Sequence, residues 1–293
     1  MAKPADAGQR FRWTLCASLV LALMLAGCEG ANFGGRTGVS ESEQAVSATS
    51  PANIASLTEV VQRNPSDPQA YNMRGTVYGQ AGRSAEALAD FDKAISLDPN
   101  YAQAYSNRGL IYRQLNKFDL ALADYNRALT IEPTYSQAYL GRGMVYRQRR
   151  QLLQALNDFN KSIAIKPDNG QAYYNRGLLY QSQNQHQFAI DDFSTAIGLS
   201  PQQAEPLIAR GLSYLAVKDL KSAASDLDDA VGLEPLNLEA WTSRGYIYEV
   251  MGDKEKAAGS YAKALNIKAD YEPARAGFKR IGGEFGQSYQ TFN

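Results

Sequence analysis

The chain's 293 residues hold 30 Lys and Arg against 30 Asp and Glu. Without a basic excess there is no broad counterion-releasing surface for nucleic acid and no long-range field of one sign. One His and two Cys are too few for the usual zinc sites, so no metal or other cofactor is expected.

In chain order, Lys3, Arg10 and Arg12 precede an apolar run, WTLCASLVLALMLAG, of signal-peptide length. It ends in Leu25-Ala26-Gly27-Cys28, which resembles the lipobox of bacterial lipoproteins. That resemblance implies removal of residues 1–27 and acylation (palmitate included) of Cys28, which becomes the first residue. Several acyl chains together anchor a protein stably to a membrane surface. In such lipoproteins an Asp after the cysteine signals retention, so by the same resemblance Glu29 implies export, in a two-membrane bacterium, to the periplasmic face of the outer membrane. Cys16 leaves with the signal, so the mature chain has no partner for a disulfide.

Residues 28–50, rich in Gly, Ser and small polar side chains, read as a flexible tether with a reach on the order of 25 Å. Residues 51–67 read as a capping half-repeat, a lone second helix. Leu57, Val60 and Pro65 stand 34 positions before Phe91, Ala94 and Pro99.

Residues 68–271 repeat with a period of 34. YNMRGTVY, YSNRGLIY, YLGRGMVY, YYNRGLLY, LIARGLSY and WTSRGYIY start at Tyr71, Tyr105, Tyr139, Tyr173, Leu207 and Trp241. Downstream of each come Ala, a large residue, a small residue and Pro: Ala121, Tyr125, Ala128 and Pro133 in the second unit. The third unit has Ser162 for the second Ala, the fifth has Leu227 for the aromatic, and the sixth has Ala269 for Pro. This period and pattern resemble the tetratricopeptide repeat (TPR), and the resemblance implies an all-α solenoid, a right-handed superhelix of six helical hairpins with capping helices. Gly109 and its equivalents should let paired helices approach, the prolines should end second helices, and Asn100, Thr134 and Asp168 can N-cap the next helix. Leu207 and Leu227 point to looser packing in the fifth unit.

Each unit also carries an arginine before its glycine: Arg74, Arg108, Arg142, Arg176, Arg210 and Arg244. Asp90, Asp124, Asp158, Asp192 and Asp226 share the period, with Ser260 as the sixth member. A partly buried guanidinium needs a partner, so the columns form an Arg–Asp ladder, either within a unit (Arg108 with Asp124) or between units (Asp90 with Arg108).

The TPR resemblance places the first helices on a concave surface. Candidate groove residues are Gln103, Asn107 and Leu110, then Gln137 and Met144, then Gln171, Tyr174, Asn175 and Leu178. Amides carry donor and acceptor together and suit a peptide backbone. Some TPR proteins carry a row of asparagines at the position of Asn107 and Asn175; here Met73, Gly141, Ala209 and Ser243 leave it incomplete, and the same register turns Arg113 and Arg147 to that surface. Gln69, Asn72, Gln103 and Ser106 supply none of the lysines of the chaperone-binding carboxylate clamp of that family. His186 is expected at the surface, with no matched nucleophile, so no enzyme activity is expected. Residues 272–293 read as a final solvating helix and a tail bearing Phe285, Tyr289 and Phe292.

Together these readings point to a TPR lipoprotein similar in plan to the NlpI-type adaptors: a membrane-anchored scaffold holding peptides or helices of other envelope proteins. The alternatives are an assembly factor for a pilus or secretion apparatus, or cell-wall glycan binding. Oligomeric state is not legible.

Overall fold

The computed structural model describes residues 49–283. Cys28, the signal-like segment 1–27, most of the tether and the aromatic tail (Phe285, Tyr289, Phe292) lie outside the described residues. Within them are fourteen α-helices. α1 is Pro51–Arg63. The six hairpins follow: α2 (Pro68–Gln80) and α3 (Ser84–Leu97), α4 (Ala102–Gln114) and α5 (Phe118–Ile131), α6 (Ser136–Gln148) and α7 (Leu152–Ile165), α8 (Gly170–Ser182) and α9 (His186–Leu199), α10 (Ala204–Ala216) and α11 (Leu220–Leu233), α12 (Leu238–Met251) and α13 (Lys254–Ile267). α14, Glu272–Arg280, closes the stack.

Hairpins close because both faces of the seam are small. Ala87, Ala121, Ala155, Ala189, Ala223 and Ala257 are wholly buried. A Cβ at Gly143, Gly177 or Gly245 would lie 2.6–2.7 Å from the ring of Phe159, Phe193 or Tyr261. Ser162, wholly buried in an alanine column, satisfies its hydroxyl with that of Ser136, 3.0 Å away.

The turn within each hairpin is the Schellman type. In the first, the Gly82 N–H donates to the Gly79 carbonyl and the Arg83 N–H to the Tyr78 carbonyl. The left-handed residue recurs every 34 positions as Gly82, Asn116, Arg150, Asn184, Lys218 and Gly252, with φ between 57° and 82°. Between hairpins, the second helix ends two positions before the proline, and α13 ends equally well two before Ala269. The N-caps fall one residue beyond the sequence expectation: Tyr101, Tyr135 and Asn169 occupy them, not Asn100, Thr134 and Asp168, and none of the three makes a side-chain cap bond.

Each first helix packs on the second helix of its own repeat and on that of the preceding one. Successive first helices also touch one another, whereas no two second helices pack to a comparable extent. The first helices therefore line the inside of the curve. α1 packs on α2 as a second helix would, but it buries Val61 and leaves Val60 exposed, because among the described residues no further helix packs on its far side. The fifth repeat is not loose: Leu207, Leu227 and Pro206 are buried, and the apolar cluster containing both leucines runs on through α12, α13 and α14.

The arginine ladder runs within repeats. Arg108 holds Asp124 through two bonds, Nε to Oδ2 at 2.8 Å and Nη2 to Oδ1 at 2.7 Å. Arg74–Asp90, Arg142–Asp158, Arg176–Asp192 and Arg210–Asp226 repeat that fork. A second rung runs to the preceding second helix. Nη1 donates to Thr58, Asp92, Asn126, Asn160 and Ser194 in turn, so each arginine ties three helices together. At Arg244 the first column offers only Ser260, and the second supplies the charge, with Asp228 at 2.6 Å. Tyr105 and Tyr112 flank the Arg108 guanidinium at 5.5 and 5.9 Å, within cation–π range.

Candidate functional site

Side chains one helical turn apart share a stripe, so the inner face of α4 presents Gln103, Asn107 and Leu110, and that of α6 presents Gln137, Leu140 and Met144. These six surround a cavity of about 320 Å³ floored by Tyr125 and Gly141. A smaller one, about 110 Å³, lies toward α2 and shares Asn107 and Leu110. A third, about 120 Å³, holds Tyr174 and Leu178 of α8 against Ile208 and Leu212 of α10, with Glu205 and Glu239 at its edge. Gln103 and Gln137 are exposed, and so is Gln171, whose carbonyl receives the Asn175 amide. Amides thus border the groove and apolar groups occupy its depth.

Asn175 does not belong to the accessible groove. It is 1% exposed, donating to the Gln171 carbonyl and accepting from Arg147 at 3.4 Å. Asn107 is half-buried and bound to Asn72 and Thr76 of the preceding repeat, while still lining both cavities of this end. Asn72 and Ser106, positions where the carboxylate clamp would need cations, are buried. His186 is half-buried, with an Nδ1 that is out of solvent and has no bonding partner.

What occupies the asparagine column follows the ring beneath it. The pairs, sixteen residues apart, read Phe91/Asn107, Tyr125/Gly141, Phe159/Asn175, Phe193/Ala209, Leu227/Ser243 and Tyr261/Gly277. Glycine appears opposite tyrosine alone, because the phenol needs the space: a Cβ at Gly141 would sit 2.5 Å from the Tyr125 ring and 2.6 Å from its hydroxyl. The row is therefore set in part by packing on the second helices.

Burial raises the phenols that floor or flank the groove. Tyr125 is pushed up to about 12, against the pull of the Arg113 guanidinium, and burial also moves Tyr174 upward. Arg113 and Arg147, which the repeat register turns toward the concave surface, stand beside these phenols. Both are half-buried on the groove side, and the Nε of each is buried without a partner.

Against known families, the tetratricopeptide repeat pattern matches residues 68–101, 102–135 and 170–203, a second TPR repeat pattern matches 143–184, and a third tetratricopeptide repeat pattern matches 208–273. No curated protein matches the sequence. Among solved structures, YrrB, described as a TPR protein with an unusual peptide-binding site, is 26% identical with a TM-score of 0.53, over 64% of this chain and 97% of that one. The APC/C hetero-tetramer Cut9–Hcn1 superposes with a TM-score of 0.71 at 19% identity over 82% of this chain; this chain spans 47%, about half, of that one. PilF of Pseudomonas aeruginosa gives 0.65 at 17% identity, over 75% of this chain and 99% of that one. The last two likenesses show the fold alone.

Proposed function

The chain is a tetratricopeptide-repeat protein, and from that premise we propose that it is a non-enzymatic scaffold, lipid-anchored at Cys28 in the cell envelope, that holds peptide segments or helices of other envelope proteins in its groove. The observation that carries the reading is the 320 Å³ cavity at the second and third repeats, apolar at Leu110, Leu140 and Met144 and bordered by Gln103 and Gln137. Such a surface suits a peptide, whose backbone needs amide partners and whose side chains need burial. The peptide site named for YrrB supports it by likeness. The lipobox-like Leu25–Cys28 supports the anchor.

The test is site-specific photo-crosslinking in cells. A crosslinker at Leu110 or Tyr174 should capture discrete envelope partners, and one at Leu153, 70% exposed on a second helix, should not. Equal capture at all three positions, or none at the first two, would sink the groove assignment. Labelled palmitate should reach Cys28 and be lost in Cys28→Ala. Deletion that removes one pilus or secretion apparatus, without groove crosslinks, would instead favour an assembly factor, and sedimentation with purified cell wall would favour glycan binding.

A further inference from the structure

The groove changes sign along its length. At the second residue of each repeat the column reads Gln69, Gln103, Gln137, Gln171, Glu205, Glu239. Ten residues on, it reads Gly79, Arg113, Arg147, Gln181, Leu215, Glu249. Glu249 is consumed by Arg280 at 2.9 Å, which leaves cations at repeats two and three and carboxylates at repeats five and six.

The cations are not neutralised within the fold. Every ladder arginine has a carboxylate within 2.8 Å, yet among the described residues neither Arg113 nor Arg147 forms an ion pair. Each has a buried Nε with no acceptor, which is costly when uncompensated. Arg113 stands beside the Tyr125 phenol that floors the large cavity. Arg147, one repeat on, reaches Asn175 and is close enough to feel the charge of Arg113; burial, and then that repulsion, hold its pKa down. One carboxylate placed between them would relieve both. Glu205 and Glu239 are exposed, form no ion pair among the described residues, and border the cavity at Tyr174. Their place in a first helical turn is itself favourable, but that does not account for the arginines.

Building on the groove reading above, we propose that the occupant is a segment of a partner protein with an acidic side chain seated at Arg113–Arg147 and a basic one at Glu205–Glu239. The two ends lie three repeats apart. At roughly 9 Å per helix-to-helix step, combined with ~15 Å of rise between the two columns along a first helix, that is on the order of 30 Å, about eight to nine residues of extended chain. The complementarity fixes which end of the segment meets which repeat, and so the direction in which a partner threads the groove.

The experiment uses the full-length chain and fluorescein-labelled synthetic peptides. Two carry one acidic and one basic cluster eight residues apart, in opposite chain orders; a third has the charges replaced by Gln. One of the charged peptides should bind at least tenfold more tightly than the uncharged one, with the advantage shrinking as salt rises. R113Q/R147Q should abolish that advantage, and so should E205Q/E239Q, whose exposed positions carry little folding risk. If the uncharged peptide binds as tightly as the charged pair, or the advantage survives both double variants, the polarity is wrong although the groove stands. If no peptide binds, the polarity inference falls, and the crosslinks at Leu110 and Tyr174 decide the groove separately.

Discussion

The Tyr125 hydroxyl occupies the space that a side chain at Gly141 would need: a Cβ there would stand 2.6 Å from that oxygen and 2.5 Å from the ring carbons. Both residues are buried, and the contact joins the second hairpin to the third. Gly141→Ala should therefore destabilise, by ~1–3 kcal/mol as overpacking does, despite the ~1 kcal/mol that alanine gains in helix propensity. Tyr125→Phe should recover part of the loss, since phenylalanine rings elsewhere lie opposite Asn107 and Ala209. Urea midpoints of the two single variants and the double variant test this, and a neutral Gly141→Ala would show that the ring moves freely.

Arg176 and Asp192 expose 21% and 8% of their side chains. Asp192→Ala should cost ~2–3 kcal/mol, below the ~3–5 of a fully buried pair because the guanidinium keeps contact with water and with Asn160. Replacing both partners, Arg176→Met with Asp192→Leu, should cost less than Asp192→Ala alone. Equal losses would mean that the arginine does not depend on its carboxylate. At the sixth repeat the weight shifts to the other rung. There Asp228→Ala should be the damaging change, with Ser260→Ala milder, because Asp228 is the one carboxylate paired with Arg244 among the described residues and also accepts from the Tyr248 hydroxyl.

Lys218 and Arg150 hold φ of 67° and 58°, where a Cβ is strained and glycine is not. Lys218→Gly should raise stability by ~0.5–1 kcal/mol, matching what Gly82 and Gly252 already provide at the same turn. An unchanged or lowered thermal midpoint would mean that the lysine side chain compensates elsewhere.

The fold was legible because its determinants are local and repeated. A glycine, an alanine and an aromatic at fixed spacing specify the hairpin, and 34-residue copies specify the stack. The first rung of the ladder was legible because its acceptor is almost always Asp. The second rung was not, since Thr58, Asp92, Asn126, Asn160, Ser194 and Asp228 share only a side-chain oxygen. The groove was legible by face but not by depth. Asn175 has the register of a groove residue, yet it is buried, with the Arg147 side chain of the neighbouring first helix bonded to its amide oxygen. Arg113 and Arg147 were legible as groove-facing by register, but not as cations without a carboxylate, because an absent partner leaves no column to find.

The C-terminal cap, α14, is tied to the sixth repeat through Glu249. Glu249 accepts from Arg280 through both carboxylate oxygens at 2.9 Å and from the Tyr261 hydroxyl at 2.6 Å. The Arg280 hydrogen bonds, more than that of Tyr261, hold its pKa below the ordinary glutamate value of 4.5. A carboxylate with a pKa lower in the folded chain than in the unfolded one contributes stability that is complete above the unfolded value and is lost as pH falls through the folded one. Protection of the α14 amides against hydrogen exchange, corrected for intrinsic rates, should thus be full at pH 6 and should fall once the pH drops below the normal glutamate range. In Glu249→Gln it should be reduced at pH 6 and change little on acidification, so that the two proteins converge in acid. Protection that falls in parallel in both proteins would assign the acid sensitivity of α14 to another carboxylate.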